Sequence, residues 1–67
     1  MKKKEQKALA QKIAKYELII QTSDDKQRIR DAQDKIMDLS GRVETLNDIA
    51  AIDEMVQEIL EKYLEKN

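Results

Sequence analysis

The feature that most constrains this chain is a broad apolar stripe across residues 46–64. On a helix of 3.6 residues per turn, Leu46, Ile49, Ile52, Met55, Val56, Ile59, Leu60, Tyr63 and Leu64 cover about half of the circumference. The other half is nearly all polar. A helix that meets one neighbour needs only a narrow seam, so this width predicts contact with at least two partners.

Two earlier segments carry narrower seams. Leu9, Ile13, Tyr16 and Ile20 recur at spacings of 4, 3 and 4, with Ile19 at the flank, and predict a first helix over about residues 3–21. Leu18 points almost directly away from that seam. Ile29, Ala32, Ile36, Leu39 and Val43 repeat at 3, 4, 3 and 4 and predict a second helix over about residues 24–44. Between the two, Thr22, Ser23, Asp24 and Asp25 supply candidate N-caps, and Asp24 with Gln27 fits a capping box, so the chain turns into a helical hairpin.

Gly41 is the one glycine. Because Asp38 and Arg42, and also Leu39 and Val43, keep helical phase across it, and an interior glycine costs only about 1 kcal/mol, the break is expected at residues 44–47. Thr45 with Asp48 three residues on is a capping-box variant that starts a third helix over about residues 46–65. With no proline in the chain, the expected fold is all-α: one domain over residues 1–67, a small up-down-up three-helix bundle made of the hairpin and a third amphipathic helix.

Sixty-seven residues lie in the range where a single core is marginal and oligomerisation often supplies the rest. The two narrow seams should fill the centre of the third helix's stripe. They leave Met55 and Ile59 on one margin, and Leu46, Leu60 and Leu64 on the other, as the surface for self-association or for a partner helix. Asp53 lies inside the stripe between Leu46, Leu60 and Leu64, where a carboxylate calls for a lysine or arginine from the first helix or from another chain. It joins the same contact set, and the chain is expected to be a dimer formed through the third helix or a subunit bound to a larger protein.

Charge is unevenly spread. Over residues 1–16 six lysines face Glu5 alone, a net of +5, whereas over residues 44–67 two lysines face seven acids, a net of −5. In an up-down-up bundle the first and third helices lie side by side, so part of this contrast is explained by complementarity within the molecule. Lys4, Lys7, Lys15 and Leu18 share the outward face of the first helix, and such a row could contact nucleic acid or an acidic partner. Against nucleic acid stand the lack of arginine in that segment and the strongly acidic remainder. Glu54, Glu58, Glu61 and Glu65 form an acidic ridge that reads as a solvated face.

Catalysis is disfavoured. There is no histidine or cysteine, and neither a glycine-rich phosphate loop, a dinucleotide fingerprint nor a calcium loop occurs. No cofactor, metal or small-molecule substrate is therefore expected. The lysine-rich start resembles the first part of a signal peptide, but the densest apolar run after it is Leu18, Ile19 and Ile20, far short of a signal core or a membrane span. A cytoplasmic, non-enzymatic protein that acts by association is the expectation, with a small nucleic-acid-binding regulator as the alternative.

Overall fold

The computed structural model describes residues 1–65 and contains three helices, α1 (Lys3–Thr22), α2 (Lys26–Ser40) and α3 (Leu46–Glu65). No strand occurs among the described residues. Each helix begins or ends on side chains that the local sequence supplies. At the end of α1 the Thr22 hydroxyl donates to the Leu18 carbonyl at 2.7 Å, and Ser23 turns extended. Ser23 Oγ then accepts from the Asp25 N–H at 3.2 Å, and Asp25 Oδ1 caps α2 by accepting from the Gln27 N–H at 3.0 Å. The cap is thus Asp25, one residue later than the Asp24 of the expected capping box.

α2 stops at Ser40 rather than near residue 44. Beyond it the backbone tightens: the Arg42 N–H donates to the Leu39 carbonyl at 3.2 Å and the Val43 N–H to the Ser40 carbonyl at 3.1 Å, both three residues back instead of four. This winding preserves enough phase for Val43 to reach the core and for Arg42 to meet Asp38 at 3.3 Å, which is why the periodicity ran on past the helix end. Gly41 itself is right-handed, with φ −65° and ψ −16°. At the start of α3, Thr45 Oγ1 accepts from the Asp48 N–H at 3.2 Å and donates to Asp48 Oδ2 at 2.7 Å.

The arrangement places α1, not α3, at the centre. α1 packs against both α2 and α3, while α2 and α3 barely touch, and the Cα atoms span 34 × 27 × 15 Å. The reason lies in two alanines. Ala10 and Ala14, at 0% and 1% exposure the most enclosed side chains of the chain, sit one turn apart on α1 beside Ile13. They share a core with Leu39 of α2 and with Ile52, Val56 and Leu60 of α3. Side chains this small let helix backbones approach closely, so α1 presents a face to each neighbour although its large residues form only one seam. Leu18, expected to point outward, is half-buried against the same core because α1 has this second neighbour.

Candidate interaction surfaces

α3 is organised by the i, i+4, i+8 row Ile52, Val56 and Leu60, all three buried. Burying side chains of this size stabilises by about 1.5–3 kcal/mol each, and it fixes which side of α3 faces solvent. The expected contact set divides accordingly. Leu60 is only 5% exposed and belongs to the core of the single chain, while Met55 and Ile59 are half-buried and lean on that core. Leu46 at 83% and Leu64 at 54% are open to solvent, at opposite ends of the helix. They lie on the same side of it, with Asp53 between them, because positions 18 residues apart are five full turns apart.

Asp53 is exposed, and among the described residues no ion pair or hydrogen bond holds it. The partner that a buried carboxylate would need is not required here, since Asp53 itself faces solvent although Leu60 beside it is buried. The carboxylate that does join two helices is Asp48, which had been read only as part of a cap. Gln6 Nε2 of α1 donates to Asp48 Oδ1 at 2.7 Å, and the Met1 amine lies 3.7 Å from Oδ2. The hydrogen bond from Thr45, then that from Gln6, holds the Asp48 carboxyl below the usual aspartate value of 3.8. Its signal was long-range, 42 residues in sequence, and no local pattern could have revealed it.

The lysines of α1 do not act as one row. Lys7 lies in a groove with Met55, Glu58 and Ile59 of α3, whereas Lys15 lies in another groove against α2; Lys4 is exposed and lines neither. The groove at α2 is bordered by Lys12, Lys15, Lys35 and Arg42, with Tyr16 and Leu39 at its apolar base and Asp38 as its one carboxylate. Glu54, Glu58, Glu61 and Glu65 are exposed along α3. Among the described residues no three carboxylates are gathered as a metal site, and no helix is long and apolar enough to cross a membrane. Met37 on α2, 73% exposed, is a large apolar surface residue that lies off the α2 seam.

These surfaces have no counterpart to be read from. Comparison with protein-family models, curated proteins and solved structures returns no match. Functional inference therefore rests on which groups the fold leaves uncovered. The total exposed surface is one measure of this: the chain exposes 5427 Å². A compact monomer of its 7.8 kDa mass is expected to expose about 4,400 Å².

Proposed function

We propose that this protein works by association, as a non-enzymatic helical subunit that binds a second copy of itself or docks as a regulator on a larger protein. The observation that carries the reading is the apolar surface left open on α3, where Leu46 and Leu64 project furthest into solvent and Tyr63 and Ile49 are exposed as well. The surface excess over a compact monomer points the same way, and the absence of histidine and cysteine favours binding over catalysis. A nucleic-acid role through Lys4, Lys7 and Lys15 is less favoured, since these lysines are dispersed over different surfaces.

Sedimentation velocity over a range of concentrations tests the reading. The wild-type chain should show a mass above 7.8 kDa that grows with concentration. Leu46→Asp combined with Leu64→Asp should reduce that mass while leaving the far-ultraviolet circular dichroism unchanged, because neither side chain is part of the core. A wild-type chain that sediments as a monomer at every concentration, and that carries no protein with it when purified from its native cell, would sink the proposal.

A further inference from the structure

The charge contrast of the sequence is not satisfied within one molecule. Beside the Met1 amine at Asp48, the one ion pair among the described residues is Arg42 with Asp38, so Lys12, Lys15 and Lys35 are left without an acidic partner. The groove they border has four cations and one carboxylate, which Arg42 already holds, and no residue of α3 lines it. The acidic ridge of α3 is equally unpaired: Glu54, Glu58, Glu61 and Glu65 are exposed and make no ion pair among the described residues. Helical phase explains why the two cannot meet in the monomer. Most of the ridge points away from the Ile52, Val56 and Leu60 row that faces α1, with Glu58 bordering a groove that Lys3 and Lys7 of α1 also line, while the cationic groove opens between α1 and α2.

We infer that the α1–α2 groove receives the acidic ridge of α3 from a second copy of this chain. The ridge is the longer of the two: Glu54 to Glu65 extends about 16 Å at 1.5 Å per residue, so the groove, about 10 Å from Lys35 to Arg42 past the end of α2, would take about two turns of it. Carboxylates of the incoming helix would lie between the lysines of α1 and the cations of α2. A phosphate polymer would also meet the cations, but it would have to approach a small molecule whose third helix repels it. Donor and acceptor faces differ, so the contact is heterologous: one copy keeps its groove free and the other its ridge, and assembly proceeds to a ring or a row. The inference rests on the association reading above and specifies the second copy as the partner.

Two charge-reversal variants test it, Lys12→Glu with Lys15→Glu in the groove and Glu58→Lys with Glu61→Lys on the ridge. All four side chains are exposed, and circular dichroism verifies that each variant folds. Each variant alone should associate at least about tenfold more weakly than wild type, because like charges then face each other across the contact. An equimolar mixture of the two should regain the wild-type mass, since every contact is again between opposite charges. Raising salt from about 0.1 M to about 1 M should weaken the wild-type assembly, as the screening length falls from about 10 Å to about 3 Å. If the wild type associates and both variants do so equally well, the inference falls while the association reading stands. If the wild type is monomeric, both fall. Loss of association in the groove variant alone, with wild type retaining single-stranded RNA at low salt, assigns the groove to phosphates and overturns the inference.

Discussion

α1 and α3 have the same length, twenty residues, and each buries three side chains, yet they achieve it with different material. α3 buries Ile52, Val56 and Leu60, whereas α1 buries Ile13 and two alanines. α1 has two neighbours and α3 essentially one. A helix with two neighbours thus encloses even the alanines Ala10 and Ala14, whereas a helix with one encloses the row that faces it, as with Ala32 at 2% and Ile52 at 2%, and leaves its margins open. A methyl group on the facing side of a helix is better covered than a leucine at its rim.

That contrast can be broken by changing the size of the side chains on either side of it. Ile52→Ala removes the bulk on which α3 depends, and should destabilise by about 2–5 kcal/mol. In a thermal melt this would lower the midpoint by roughly 4–8 °C for each kcal/mol in a chain of this size. The opposite change on α1, Ala14→Leu, inserts bulk at a fully enclosed position and should cost about 1–3 kcal/mol by urea denaturation. Neutral behaviour of this variant would mean that α1 and α3 are not in close approach at Ala14.

A smaller effect is expected at Gly41, outside both helices. Its φ of −65° suits any L-residue, and an added Cβ would lie 3.5 Å from the carbonyl oxygens of Met37 and Asp38, an ordinary contact. Gly41→Ala should therefore stabilise by about 0.4–1 kcal/mol through the unfolded chain. Loss of stability instead would show that the tightened turn after α2 needs the glycine.

The polar link between α1 and α3 should register as a modest pH dependence. Because Asp48 has a lowered pKa in the folded chain, its carboxylate contributes stability above the ordinary aspartate value of 3.8. That contribution is lost as pH falls through the lower, folded value. Asp48→Asn should flatten this part of the stability curve, and a wild-type-like acid limb in that variant would remove Asp48 as its source.

The three helices and the Thr45–Asp48 cap that begins α3 were legible in the sequence, because periodicity and capping are local, while at α2 the expected Asp24 box gave way to its neighbour Asp25. What misled was counting only large apolar residues. Ala10 and Ala14 hold the second face of α1, so the centre of the bundle was assigned to α3, whose broad stripe invited it. The same error turned Leu18 outward and made Asp53 a candidate for a buried pair. Tertiary contact decides these positions, and the sequence pattern around Leu18 or Asp53 contains no record of which neighbour is present. The cationic groove was hidden for a related reason, since Lys12 and Lys15 are joined to Lys35 and Arg42 only by the folding back of α2.

The sparse contact between α2 and α3 also sets a hierarchy of motion. Either outer helix can detach while the other remains seated on α1, so partial opening requires breaking one interface and not two. α1, shared by both pairs, opens only when both have been lost. Its amides at Ala10, Ile13 and Ala14 are then governed by global unfolding, while those of α2 and α3 follow cheaper, separate openings. A partner seated on α2 or α3 would slow exchange in that helix first and leave the α1 amides to report the stability of the whole.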